Sequence, residues 1–279
     1  MHYSETVYRP PYEANSILLQ VTNGCSWNKC KFCGMYKQDR FHASPINEVE
    51  EDLQEWAEHK PASNRVYLVG ANPFTLGFDR LKQLSGMIHR YLPQVTSIGG
   101  FCRITDITPK SDEQLTELHL LGYDQLFIGT ESADDAVLDF MNKGFHVSDT
   151  IEQLRRLEQA GITYHINHMN GLAGAGKART SALTLAELYN KLHPAAINLT
   201  NLTVVPGSVL YEEITVGNYK EPSELELLEE QKLFIENLTL STVVNLYNVG
   251  NGLPFAATLP RDKKQLVSYM EYIISSRNQ

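Results

Sequence analysis

The sequence predicts an α/β fold: a partial, open TIM-type barrel of about six βα units, followed by a short C-terminal extension. Three observations carry this reading. Apolar runs alternate with amphipathic stretches through nearly all 279 residues, the rhythm of a parallel sheet built with right-handed crossovers. The segments after those runs hold Cys, Gly, Asn, Pro and Glu, residues suited to chemistry at the C-terminal ends of barrel strands. No low-complexity linker interrupts the pattern, so one domain is expected, although about 150 residues per domain would allow two. The expected organisation is an N-terminal segment over 1–15, the barrel over 16–215 and a helical cap of the same domain over 216–279.

Each element has its own signal. Ile17-Leu18-Leu19-Gln20-Val21 reads as a buried strand, and a cysteine-bearing loop follows it. Val49, Leu53 and Trp56 fall at helical spacing. Val66-Tyr67-Leu68-Val69 is the second strand, with Leu81, Leu84, Ile88 and Tyr91 marking the next helix. The third strand covers 95–101. Ser111-Asp112-Glu113-Gln114 has capping-box spacing ahead of Leu115 and Leu118. Leu126-Phe127-Ile128 is the fourth strand, and Ile151, Leu154 and Leu157 lie on a helix ending near Gly161. A fifth strand over 162–169 precedes a helix through Leu185, Leu188 and Leu192. A sixth covers 196–205. Beyond it come a long acidic helix after Pro222-Ser223, the short β-branched run Thr242-Val243-Val244, and a last helix through Leu266, Tyr269, Met270 and Ile273.

Composition narrows the function. With 24 Lys+Arg against 33 Asp+Glu the net charge is −9, which argues against nucleic acid held by bulk charge; the absence of a basic stripe weighs against tRNA in particular. No apolar run approaches the roughly 20 residues of a membrane span. The start, Met1-His2-Tyr3-Ser4-Glu5, lacks the basic and apolar regions of a signal peptide, so a cytoplasmic location is expected. Cys25, Cys30 and Cys33 fall within nine consecutive residues, and Cys102 stands apart. Secreted disulfide frameworks are far denser in cysteine. In a reducing compartment such a trio points to metal or redox chemistry.

The loop reads Gly24-Cys25-Ser26-Trp27-Asn28-Lys29-Cys30-Lys31-Phe32-Cys33-Gly34. Three thiolates suit three corners of a 4Fe–4S cluster and leave one iron without a protein ligand. Structural zinc normally takes four protein ligands, and the nearest further candidate is His42, nine residues past Cys33. A third cysteine also exceeds the pair of a thioredoxin-like site.

With Phe32 just before its last cysteine, this loop after the first strand resembles that of the radical S-adenosylmethionine superfamily. Tyr8-Arg9-Pro10-Pro11, Ile128-Gly129-Thr130-Glu131-Ser132, Met141-Asn142-Lys143-Gly144 and Leu259-Pro260-Arg261-Asp262-Lys263 resemble a poorly characterised Fe–S oxidoreductase group within it. One departure stands out: four residues separate the first two cysteines, where the superfamily's usual loop has three.

The resemblance implies two cofactors, a 4Fe–4S cluster on Cys25, Cys30 and Cys33, and S-adenosylmethionine chelating the cluster's open iron. Reductive cleavage would give methionine and a 5′-deoxyadenosyl radical that abstracts hydrogen from an unidentified, small substrate. An electron donor such as flavodoxin or ferredoxin is the implied partner. Phe32 is placed near the adenine. Gly70-Ala71-Asn72-Pro73 stands where the superfamily has a Gly-Gly-Glu stretch for the methionyl amino group, with Asn72 replacing the acid; the same run also reads as a plain turn. Glu131 matches the ribose-binding acid, or else serves as an acid at a helix N-terminus. Lys143 aligns with a residue that pairs with the methionyl carboxylate, or else is a solvated lysine. Asn170 and Gly171, with Gly174 and Gly176, are read as close backbone approach to the adenosyl group, as is Val205 with Pro206 and Gly207.

Two features concern the substrate. The fifth strand is unusually polar, and alternation places His168 and Asn170 on one face, His165 and Asn167 on the other. His168 is a catalytic candidate or a core histidine. Cys102, beside Arg103, is a hydrogen-atom donor or a small buried residue. Isomerisation, oxidation or bond cleavage is expected, because sulfur insertion needs a second cysteine set and a cobalamin-dependent methyl transfer needs a further domain. The alternative is a non-enzymatic Fe–S carrier or a structural zinc-binding barrel.

Overall fold

The computed structural model describes residues 1–4, 6–246 and 255–277. Their strands are β1 (Ile17–Gln20), β2 (Thr22–Asn23), β3 (His42–Ala43), β4 (Arg65–Val69), β5 (Ser97–Cys102), β6 (Leu126–Glu131), β7 (Tyr164–Asn170), β8 (Ala196–Asn201), β9 (Thr242–Leu246) and β10 (Phe255–Leu259). The helices are α1 (Ile46–His59), α2 (Phe78–Tyr91), α3 (Ile104–Ile107), α4 (Asp112–Leu120), α5 (Asp135–Phe140), α6 (Val147–Ala160), α7 (Ala178–Tyr189), α8 (Val209–Thr215), α9 (Glu224–Asn237) and α10 (Lys263–Arg277). The fold is α/β, with an eight-stranded sheet in the order β1-β4-β5-β6-β7-β8-β9-β10 that does not close on itself. The pairs β1–β4, β4–β5, β5–β6, β7–β8 and β8–β9 are parallel, and β9–β10 is antiparallel.

The chain forms two compact units: Met1–Asn28 with Met35–Ile128 and Arg155–Tyr164, and Lys29–Gly34 with Gly129–Leu154 and His165–Gln279. In the first, α1 buries Val49 and Leu53, while α2 buries Leu81, Leu84, Met87 and Ile88. Ser111 caps α4 through the expected box, accepting from the Gln114 N–H. The two-residue ladder β2–β3, Thr22 opposite Ala43 and Asn23 opposite His42, is too short to show as a sequence pattern. β5 starts at Ser97 and ends at Cys102, so this cysteine is a strand residue and not part of the following loop.

In the second unit α9 lies along α7, with the Phe234 ring edge-on to Tyr189 at 5.8 Å. Pro222-Ser223 opens α9 as expected: Ser223 Oγ accepts from the Glu226 N–H at 3.2 Å, and the Glu226 carboxylate accepts from the Ser223 N–H at 2.8 Å. Ser223→Ala is expected to lower stability by about 1 kcal/mol, measured as a shift in the urea midpoint at unchanged slope. Past residue 215 the sequence reads as helical apart from one β-branched run, yet two strands form there. β9 extends the run, and β10 pairs with it through Ala256-Ala257-Thr258, small residues with little strand signal of their own. Residues 247–254 and 278–279 of the expected extension lie outside the described residues. Helices α3, α5 and α8 have at most seven residues, too few for periodicity to register.

Candidate cofactor site

In the first unit the Cys25 end of the loop is tied down residue by residue. Asn28 takes a left-handed conformation, φ 50°, in which its N–H points at Cys25 Sγ, 3.4 Å away, and its Nδ2 donates to the Tyr36 carbonyl at 2.6 Å. The Ser26 N–H donates to Asn72 Oδ1 at 3.0 Å, and Asn72 Nδ2 donates back to Ser26 Oγ at 2.7 Å. The same Nδ2 reaches the Asp106 carboxylate at 2.9 and 3.1 Å. Asp106 also accepts from the Arg103 N–H at 2.8 Å. Burial pushes the Asp106 carboxyl up, against the opposing hydrogen bonds from Arg103 and Asn72. The Arg103 guanidinium lies 5.1 Å over the Trp27 ring.

Asn72 is buried, with its amide oxygen and both amide hydrogens matched to these partners. The expected turn at Gly70-Ala71-Asn72-Pro73 is present, with positive φ at Gly70 and Ala71. A Cβ on Gly70 would lie 1.7 Å from the Thr22 carbonyl oxygen, so only glycine passes there. Asp106 went unnoticed in the sequence.

Cys102 is the last residue of β5. In β5 it alternates with Phe101, shares a face with Ile98, and stands in register with the buried Ile128. It is 3% exposed, and burial pushes its thiol well up. This placement is that of a core residue.

Cys30 and Cys33 belong to the second unit. The Lys31 N–H donates to the Met141 carbonyl and its carbonyl accepts from the Leu210 N–H, at 3.0 and 2.9 Å. Its ammonium pairs with Glu213 at 2.6 Å and lies 4.1 Å above the Phe140 ring. Phe32 packs with Met141, Leu172, Leu210 and Tyr219, and the half-buried Cys30 and Cys33 border that cluster. Val205 closes on the same segment: a Cβ on Gly34 would lie 3.2 Å from its Cγ1.

Next to Phe32 is a buried charge pair. Lys143 Nζ is 3.4 Å from Glu131 Oε1, 5.7 Å from the Phe32 ring centre and 5.4 Å from that of Phe145. Lys143 is 5% and Glu131 7% exposed, so the reading of Lys143 as solvated is corrected. Nor does Glu131 start a helix, because α5 opens at Asp135 with Asp134 as its cap. Glu131 takes φ 64° and its carboxylate folds back over Gly129, where a Cβ would lie 2.3 Å from Oε1. Asn167 Nδ2 donates to the other carboxylate oxygen at 2.9 Å.

Asn167 thus identifies the face of β7 that meets Glu131. His168 and Asn170 take the opposite face: His168 is 1% exposed, 3.7 Å from Glu230 Oε1 and 6.0 Å from the Phe234 ring of α9. The Asn170 side chain donates to Asn201 Oδ1 at 3.2 Å. Gly171 is held from both sides, its N–H by Glu230 at 3.0 Å and its carbonyl by the Tyr219 hydroxyl at 2.5 Å. Its φ of 82° and a Cβ position 2.6 Å from Leu227 Cδ2 require glycine.

Among the described residues no three His, Cys, Asp or Glu side chains converge as a preassembled metal site, and no helix is long and apolar enough to cross a membrane. The ligand set therefore rests on the spacing of the three thiols. His42, the further ligand considered for zinc, is exposed, with its Nδ1 3.1 Å from the Arg40 carbonyl oxygen.

The family profile of the Radical SAM superfamily matches residues 19–176. An anaerobic magnesium-protoporphyrin IX monomethyl ester cyclase of Cereibacter sphaeroides is 25% identical over 259 residues, covering 85% of this chain and 39% of its own. The chain thus spans about two fifths of that relative's length. Among solved structures, the radical S-adenosylmethionine methyltransferase TsrM from Kitasatospora setae, with cobalamin and [4Fe-4S] cluster bound, aligns with a TM-score of 0.57 at 16% identity, over 71% of this chain and 39% of that one. Coproporphyrinogen III oxidase from Escherichia coli aligns with a TM-score of 0.57 at 17% identity, over 79% and 51%. At those identities the structural likeness speaks for the fold alone.

Proposed function

This chain belongs to the radical SAM superfamily, and on that premise we propose that it is an enzyme whose Cys25, Cys30 and Cys33 hold a 4Fe–4S cluster and whose substrate is a small molecule. The observation that carries the reading is the buried Glu131–Lys143 pair beside Phe32, in the same unit as Cys30 and Cys33. An Fe–S carrier or a zinc-stabilised barrel has no use for a carboxylate and an ammonium held out of water there. The thiol set fits a cluster: three half-buried cysteines, none of them in a disulfide, give the soft sulfur donors that iron–sulfur sites take.

Held by Cys25, Cys30 and Cys33, a reduced cluster would supply the electron for reductive cleavage of S-adenosylmethionine and, through it, for hydrogen abstraction from the substrate. The protein's own residues bind and orient. Glu131 accepts hydrogen bonds from the ribose hydroxyls, held in place by Asn167 and by the absence of a side chain at Gly129. Lys143 pairs with the methionyl carboxylate. Because the Asn72 amide is already engaged, backbone carbonyls of the Gly70–Ala71 turn receive the methionyl amino group. Phe32 and Val205 border the adenine. Electrons arrive from a flavodoxin or ferredoxin.

Metal and sulfide analysis of anaerobically purified and reconstituted protein tests this. About four irons per chain with sulfide and visible charge-transfer absorption are expected. One zinc per chain without that absorption would favour the structural reading.

A further inference from the structure

The arm between Cys25 and Cys30 is one residue longer than the superfamily's usual arm, and Ser26, Trp27 and Asn28 on it each have a partner: Asn72, Arg103 and the Tyr36 carbonyl. Asn72 and Arg103 lie far off in sequence, and both converge on Asp106, which receives the Asn72 amide and the Arg103 N–H. We propose that Asn72 and Asp106 are positioning residues that preset the Cys25 arm for its cluster; the proposal rests on the cluster reading above.

Each backbone residue fixed at the moment of metal binding costs conformational entropy, and an arm held beforehand avoids that loss. The Asn28 N–H aimed at Cys25 Sγ shows the arm held in a form where the sulfur already has a hydrogen-bond donor, and donors to cluster sulfurs tune their potential. Finally, the chemistry at position 72 demands an amide. One group must accept from the Ser26 N–H while donating to both Ser26 Oγ and Asp106. A carboxylate there would have no hydrogens to give and would face the buried Asp106 carboxylate with like charge. This explains why asparagine stands where the superfamily has an acid: position 72 serves the arm, not the methionyl amino group.

The experiment compares wild type, Asn72→Ala, Asn72→Asp and the double variant Asn72→Asp/Asp106→Asn, each reconstituted anaerobically. It reads iron per chain, the rate of iron release to a ferrous chelator, and the thermal midpoint of each apo chain. Asn72→Ala and Asn72→Asp are expected to release iron about 10–100-fold faster than wild type, the usual consequence of losing an outer-shell partner. The double variant, relieved of the like-charge contact, is expected to recover part of that loss. A wild-type release rate in folded Asn72→Ala overturns the proposal, as does a lowered apo midpoint with unchanged release. Should the alanine variant fail to fold, equal rates in Asn72→Asp and the double variant overturn it. Wild-type protein that takes up no iron overturns the cluster reading and this proposal together; loaded wild type matched by its variants overturns this proposal alone.

Discussion

Cys30→Ala is expected to fold and to lose the cluster. Cys30 is half-buried at the edge of the Phe32–Met141–Leu172 packing, so shortening it removes little apolar contact. As a direct ligand its loss should exceed the roughly 10–100-fold that outer-shell partners cost: iron per chain after reconstitution falls below about a tenth of wild type, and S-adenosylmethionine cleavage with it. Cys102→Ala is the matched control. Its sulfur is buried against the core of the first unit, and removing it costs about 1 kcal/mol of stability through the small cavity left, with iron content and cleavage unchanged. Equal cluster loss in the two variants would contradict the separation of the trio from the fourth cysteine.

The second large effect is at the charge pair. Glu131→Gln leaves the Lys143 ammonium buried between Phe32 and Phe145 without its countercharge, a loss of about 3–5 kcal/mol of stability. Gly129→Ala reaches the same carboxylate by another route. Its methyl group would occupy the place of Glu131 Oε1 and push the carboxylate away from Lys143 and Asn167, with an overpacking cost of about 1–3 kcal/mol. Both variants are expected to keep wild-type iron and to bind S-adenosylmethionine at least about tenfold more weakly, as 1.4 kcal/mol of lost interaction corresponds to a factor of ten. Equilibrium dialysis on reconstituted protein reads this directly. Undiminished binding in Gly129→Ala would show that the carboxylate has another task.

Most of the strand and helix order was legible because buried parallel strands read as continuous apolar runs, and because Ser111 stands three residues before Gln114, which completes its capping box. β10 was not legible: Ala256-Ala257-Thr258 becomes a strand only by pairing with β9. At the site, the cysteine trio was visible as spacing, whereas Glu131 and Lys143 stood out only through their likeness to the superfamily. Asp106 lies 34 residues from the asparagine it holds, and nothing in its local sequence marks it. Alternation divided the polar residues of β7 into two sets but did not say which set met Glu131; that depends on α9, whose Glu230 and Phe234 lie against His168. Of the two readings of Cys102 the buried one describes its place, and its side is set by the parity of β5 against Ile128 of β6.

The central claim is that the cysteine trio and the Glu131–Lys143 pair serve one chemistry. Its most direct test is product analysis of anaerobically reconstituted wild-type protein given dithionite and S-adenosylmethionine. 5′-Deoxyadenosine and methionine are expected in equal amounts, dependent on dithionite, absent with Cys30→Ala and retained with Cys102→Ala. Protein carrying about four irons per chain that forms no 5′-deoxyadenosine under these conditions would contradict it.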